Sequence, residues 1–220
     1  MAGGIAYKWE GSSVKVLTGY TGSGSPSPTI SAITQASPPV VTSTAHGLTD
    51  GDVVKITGAG GMTEVNGKTF VIEELDANTF SLLGVDGTGY GAYTSGGVFD
   101  EGAFSNWCQL TNYNQTGGTK PEIPTTTICS DAAEFLLGLR DFGTTSLDYL
   151  FAPLTDTIQV ALNAFDASGA IMAVRVELPD GGGTLVQLGF VQQTSAQAGN
   201  GTVWTGTTVI RNTGARWDFA

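Results

Sequence analysis

Between residues 29 and 98 the chain is interrupted so often by turn-forming residues that no run between them can hold a regular helix. The signals are Pro38-Pro39, Ala45-His-Gly-Leu48, Asp50-Gly-Asp52, Asn66-Gly67, Asp76-Ala-Asn78 and Asp86-Gly-Thr-Gly89. Between them lie Ile30 to Thr34, Val40 to Thr42, Val53 to Thr57, Thr69 to Glu73 and Thr79 to Leu83, all short and rich in β-branched or aromatic side chains. Such side chains suit a pleated surface, and Gly, Asp and Asn supply the tight connections. The segment predicts a small barrel or sandwich of about five or six strands.

Residues 19–28 read as a flexible Gly/Ser/Pro linker, and a second change of texture falls at Ser95-Gly-Gly97. The self-contained unit 29–98 is therefore expected to be inserted into a host domain of residues 1–28 and 99–220. On this reading, joining Pro28 to Val98 should leave the host able to assemble. In the host, Ser105 to Tyr113 reads as the first full strand, and Gln115 to Leu139 as a long loop with Thr125 to Cys129 extended. A structureless stretch of that length usually has a function or an external partner. Thr144 to Phe151 alternates, which puts Leu147, Tyr149 and Phe151 on one face and Ser146 and Asp148 on the other. Asp156 to Ala167 is the one helix: Ile158, Leu162 and Phe165 recur at helical spacing, Asp156 and Gln159 match a capping box, and Gly169 can end it. Val174, Val176 and Leu178 then form a strand, followed by strands over Leu185 to Gln192 and Thr202 to Arg211. The fold class is all-β with one short helix.

Little in the chain can carry catalysis. His46 is the only histidine and belongs to a turn phrase, while Cys108 and Cys129 form neither a disulfide framework nor a C-x-x-C pair. No metal or cofactor is expected, since the Asp-Gly clusters lack the closing Glu of a calcium loop and the Gly clusters lack a following Lys-Ser/Thr. The formal net charge of −11 argues against a phosphate-gripping surface. There is neither a secretory-type N-terminus nor an apolar run of membrane-spanning length, so the chain reads as made in a reducing cytoplasm without membrane insertion.

Two resemblances are carried by specific phrases. The run Glu134-Phe-Leu-Leu-Gly-Leu-Arg-Asp-Phe-Gly-Thr-Thr-Ser-Leu-Asp-Tyr-Leu-Phe-Ala-Pro153 leads into the helix and the next strand. The turn Leu178-Pro-Asp-Gly-Gly-Gly183 and two Thr/Val strands follow, closing at Trp217-Asp-Phe219. This order resembles the major tail tube proteins of long-tailed, non-contractile bacteriophages (siphovirus type), well over 99–220 and loosely over 1–28. The phrases Pro39-Val-Val-Thr, Ala45-His-Gly-Leu, Gly51-Asp-Val-Val-Lys-Ile, Asn66-Gly-Lys-Thr-Phe and Tyr93-Thr-Ser-Gly-Gly97 resemble β-barrel modules named after the first catalytic cysteine half-domain of ubiquitin-activating enzymes. Residues 29–98 contain no cysteine, so no thioester chemistry follows.

The first resemblance implies a virion tail protein that is not an enzyme. Its sandwich would contribute strands to an inner β-barrel shared by six copies in a ring. Stacked rings would hold a tape-measure protein and later conduct duplex DNA, and would contact a tail terminator and baseplate or tip proteins. The inserted unit would decorate the tube. Asp148, Arg175, Glu177, Gln187 and Arg211, set opposite the apolar face, are the candidates for the lumen or the subunit contacts. The long loop, with Lys120, Glu122, Phe135, Leu136 and Arg140, is the candidate for contact between rings. Two rival readings are a carbohydrate-binding or adhesin module using Tyr90, Tyr93, Trp107 and Trp204, and a tail terminator or assembly protein.

Overall fold

The computed structural model describes residues 7–21 and 28–220. The chain opens with β1 (Ser13–Thr21), so Gly19, Tyr20 and Thr21 belong to a strand and not to the expected linker; the rest of that linker, 22–27, lies outside the described residues. The turn-rich segment then gives β2 (Ala32–Ile33), β3 (Val40–Thr42), β4 (Val53–Thr57), β5 (Thr69–Asp76) and β6 (Thr79–Leu82). Its Asp residues serve the turns. Asp52 accepts from the Thr49 N–H and hydroxyl, Asp86 from those of Thr88, and Asp50 from the Glu74 N–H.

Next comes β7 (Val98–Asn106), then β8 (Leu110–Gln115). The single strand expected over Ser105 to Tyr113 is thus two. Trp107 is buried between them, its N–H donating to Val14 O and its indole N–H to Asp156, and this inward turn separates the strands. The remaining elements are β9 (Glu122–Pro124), β10 (Phe135–Leu137), β11 (Thr144–Leu150), α1 (Thr157–Ser168), β12 (Met172–Glu177), β13 (Thr184–Gln197), β14 (Thr205–Asn212) and β15 (Trp217–Phe219).

Helix α1 begins where expected, with the Asp156 carboxylate accepting the N–H groups of Ile158 and Gln159, and ends at Gly169 in the left-handed region. The reciprocal half of the capping box does not form. Gln159 is buried, and its amide instead joins Ala152 N–H, Leu150 C=O and Gln109. Burial decides this, because a buried amide must meet its own hydrogen-bonding needs. Ile158, Leu162 and Phe165 face a core that includes Val14, Val16, Leu147, Tyr149, Val174, Val176 and Ile210.

Except for the β9–β10 pair, the strands join in one sheet ordered β2-β3-β6-β5-β4-β7-β1-β12-β13-β14-β11-β8, with β15 against β13. Strand β7 is shared: Val98 to Glu101 pair with β4, and Glu101 to Asn106 with β1. A second core, around Ile33, Val41, Ile56, Phe80, Leu82 and Phe99, fills the turn-rich segment. Val53 and Val71 of that segment belong to the first core, however, so the two units are packed together. At their seam Arg175 donates to Asp52 and Gly51 O, both at 2.8 Å, and its guanidinium lies 4.3 Å from the Phe104 ring centre. Trp217 closes over Gly84 and Phe219 over Gly51.

This seam changes the expected outcome of deleting 29–98. Joining Pro28 to Val98 removes the partner strand of β7 and uncovers Arg175 and Leu17, so the host should lose stability as well as girth. A milder test is Asp52→Ala, which strands Arg175 in a site where the two side chains are only 15% and 11% exposed. Breaking such a pair from one side should lower unfolding stability by about 3 kcal/mol in a urea titration. Glu101, at the rim of the seam, has its carboxyl raised by partial burial and by Asp52, with Arg175 opposing. A raised carboxyl favours the folded state below its titration range and loses that contribution above it. Glu101→Gln should therefore be neutral at low pH and slightly stabilising at neutral pH.

Candidate assembly surfaces

Four strands, β13, β14, β11 and β8, form a half-sheet whose two faces differ in character. Register fixes which side chains share a face, because paired residues project to the same side. One set of cross-strand rows reads Asn112–Asp148–Thr207–Ser195, Asn114–Ser146–Val209–Gln193, and Thr144–Arg211–Phe190. The alternate set, Tyr113–Leu147–Thr208–Thr194 and Gln115–Thr145–Ile210–Val191, faces the core. The first face carries mostly hydroxyl and amide side chains, with the apolar Val209 and Phe190 and two charged residues, Asp148 and Arg211, among them. Asp148 accepts from Thr207 Oγ1 at 2.7 Å and Asn112 Nδ2 at 3.0 Å, and Arg211 is paired with Asp141 at 2.8 Å. Asp148 is thus hydrogen-bonded and Arg211 ion-paired.

Among the described residues, both edges of this half-sheet are open. Strand β8 pairs only with β11, and β12 stops opposite Gly189, so residues 190–197 of β13 pair only with β14. Exposed edges of this length are templates for further strands.

The segment expected as a structureless loop is a β-arm. Beyond β8 and β11 its two sides stay bonded: Thr116 N–H to Thr144 O, Asp141 N–H to Thr119 O, Gly138 N–H to Pro121 O and Thr125 N–H to Glu134 O, each at 2.8 Å. Between these lies the β9–β10 pair, with Leu136 opposite Ile123 and Phe135 opposite Pro124. The backbones are close at the stem, where a side chain on Gly118 would meet Asp141 O and one on Gly143 would meet Thr116 O. The expected extended run Thr125 to Cys129 ends in the arm's tip, because Thr127 and Ser130 close a turn through Ser130 N–H to Thr127 O and Thr127 N–H to Ser130 Oγ. About nine residues per side allow a reach of about 30 Å from the sheet.

Along this arm Ile123, Ile128, Phe135, Leu136, Leu137 and Leu139 are all exposed, Ile128 and Leu139 almost fully. An isolated two-stranded ribbon that is apolar on both faces is marginal in water, and a contiguous apolar surface of this kind marks a contact site. Lys120, Glu122 and Arg140 are exposed along the same arm, with the Arg140 guanidinium 5.5 Å from the Phe142 ring centre.

The structure disperses the other candidates. Arg175 lies in the seam, and Glu177 pairs with Lys15 and Ser13 at the β1–β12 register. Burial raises the Glu177 carboxyl, but hydrogen bonds from Lys15 and Ser13 outweigh it and hold it below the usual range. Gln187 is not on the face opposite the apolar one, as expected from sequence: it pairs with Val174, is 3% exposed and bonds Gln115, Leu188 O and Gly214 O. A polar residue survives there because neighbouring carbonyls and an amide satisfy it. The aromatics of the adhesin reading do not converge. Trp107 is buried, Tyr93 bonds Ile30 O and Gly96 O, Tyr90 lies under Lys68, and Trp204 is exposed at the far end of β14. His46 joins Asp76 O and Leu48 N–H within its turn, and among the described residues no cluster of His, Cys, Asp and Glu could hold a metal. The free edges and the arm's pairing were missed from sequence; Pro121 and Pro124 hid the strand character of β9.

Since Phe135 and Leu136 belong to neither core of the described residues, Phe135→Ser with Leu136→Ser should leave the fold intact. The change in unfolding stability should stay within about 0.5 kcal/mol, as for surface sites. A loss of several kcal/mol by denaturant titration would show that the arm folds back on its own core.

Residues 37–102 match the family model of the ubiquitin-activating enzyme E1 FCCH domain, a stretch that starts inside the turn-rich segment and ends within β7. No curated protein matches the chain. Among solved structures, a chain in the tail of an empty gene transfer agent particle refined with C6 symmetry is similar at 14% identity and a TM-score of 0.43, covering 53% of this chain and 87% of that one. A chain in the virion of a native gene transfer agent particle is similar at 16% identity and a TM-score of 0.43, covering 53% and 89%.

Proposed function

We propose that this chain is the repeating structural subunit of a phage-type tail tube, acting by assembly and making or breaking no bond. The observation that carries this is the half-sheet β13-β14-β11-β8, which combines a largely polar face without an unpaired cation with two open edges. Pairing the β8 edge of one copy with residues 190–197 of β13 in the next would continue the sheet from subunit to subunit. A ring built so has no edges left. The tail tube resemblance supplies the number of copies, six, and the stacking of rings by the arm.

The chemistry of the inward face suits passage and not binding. DNA is held chiefly by Lys and Arg neutralising phosphates. A wall mostly of Thr, Ser, Asn and Gln, broken by Asp148, Val209 and Phe190 and with Arg211 already paired to Asp141, offers phosphates no unmatched cation. The acidic balance of the chain, −11, adds repulsion. A tape-measure protein would fill the lumen first and duplex DNA later. A terminator and baseplate or tip proteins would cap the two ends, and the particle's place would be the virion tail.

Negative-stain microscopy of concentrated protein tests the proposal: rings or tubes with a central channel are expected, and discrete monomers at every concentration would overturn it. A second expectation concerns the wall. Asp148→Lys should leave the subunit folded and add six positive charges per ring, spaced within the screening length of about 8–10 Å of passing phosphates. Tubes carrying it should retain duplex DNA in a salt-dependent way in filter binding, whereas equal retention by altered and unaltered tubes would place Asp148 outside the conduit.

A further inference from the structure

The arm leaves the sheet at the start of β11, and a second apolar patch lies at the other end of the same strand. There Phe151 and Trp204 lie with ring centres 6.0 Å apart and 34° between planes, joined by Phe151 N–H to Trp204 O at 3.0 Å. Trp204 is 57% exposed, Val203 70% and Leu154 91%. The segments that form this end, Leu150-Phe-Ala-Pro-Leu-Thr155 and Thr202-Val-Trp-Thr205, contain no charged residue. Seven residues of β11 separate the two patches, which is about 20 Å of strand.

We propose that the patch formed by Phe151, Leu154, Val203 and Trp204 receives the β9–β10 hairpin of a second copy of this chain, docked head to tail along the strand direction. The inference rests on the tube reading for the existence of stacked copies; it adds the surface on which the arm lands. Three observations select this occupant. Both surfaces are apolar and exposed among the described residues, so each lowers the cost of exposing the other. They lie at opposite ends of one strand, and a contact between two different patches so placed repeats without closing, as a filament requires. Arm-to-arm pairing would close after two copies and leave Trp204 in water. Finally, the two segments that form the patch carry no charged residue of their own, so burying them strips none of their side chains of an ion's hydration, and the hairpin's Ile123 and Leu136 lie side by side to meet a flat aromatic surface.

The test uses the full chain with Cys108→Ser and Cys129→Ser, which removes the two exposed thiols. Into it go Leu136→Cys on the arm and Leu154→Cys on the patch, together and singly. After assembly and treatment with a mild thiol oxidant, the double variant should give a covalent ladder beyond the dimer on a non-reducing gel, and neither single variant should. In the otherwise unaltered chain, Trp204→Ser with Leu154→Ser should still close rings but form at least 10-fold fewer tubes. Tubes that assemble without a ladder, and that form normally with both Ser substitutions, would overturn this contact while leaving the tube reading intact. An unaltered chain that never leaves the monomer would overturn both.

Discussion

Strand β7 is the element on which the arrangement of the whole chain depends. Its first residues complete the turn-rich segment by pairing with β4, and its last residues begin the host sheet by pairing with β1. A strand cannot be twisted independently at its two ends, so the two cores on either side are held in one register. Arg175 makes the union hard to reverse. Its guanidinium is held between the Asp52 carboxylate and the Phe104 ring, and either part alone would leave a desolvated charge. What reads in sequence as a separable ornament is therefore joined by backbone pairing and by a buried ion pair.

The same sheet carries a change of purpose along its width. Where β1, β12 and the first half of β13 lie, the face away from the helix is covered by the turn-rich segment, and its residues are Leu17, Arg175 and Val186. Beyond Gly189 that cover ends, and after Phe190 the face becomes mostly Thr, Ser, Asn and Gln, with Val209 and Asp148 among them. The irregularity in β13 between Val191 and Gln193 falls at this transition. Bulges bend a strand and increase local twist, which lets the polar half-sheet turn away from the covered half. The half-sheet keeps the open edges that a single compact domain would normally protect.

The arm shows how an unburied element can still be specific. Its pairing is continuous with β8 and β11, so its direction is set by the sheet, while its apolar side chains join neither core of the described residues. Backbone hydrogen bonds thus aim a surface whose hydrophobic stabilisation must come from elsewhere. A flexible loop with the same residues would have to lose far more conformational entropy on docking.

Much of this was legible in the residues. The turn formers and β-branched runs located β3 and β4 at their bounds, the alternation from Thr144 to Phe151 assigned Leu147 and Tyr149 to the core, and Asp156 and Gly169 marked both ends of α1, because periodicity, capping and turn chemistry are local. The sequence could not show that Trp107 would turn inward and split a strand, that Gln159 would bond Leu150 and Ala152 in place of its own cap, or that Gln187 would sit beside Val174. Each of those outcomes depends on what lies across the fold. The arm was misread for the same reason: Pro121 and Pro124 look like breaks until a second strand, Phe135 to Leu137, is placed opposite. Composition determined an acidic, β-rich chain with one His and two Cys. Only the tertiary structure decided which edges stay open and which apolar residues stay in water, since exposure is a property of neighbours brought from distant parts of the chain.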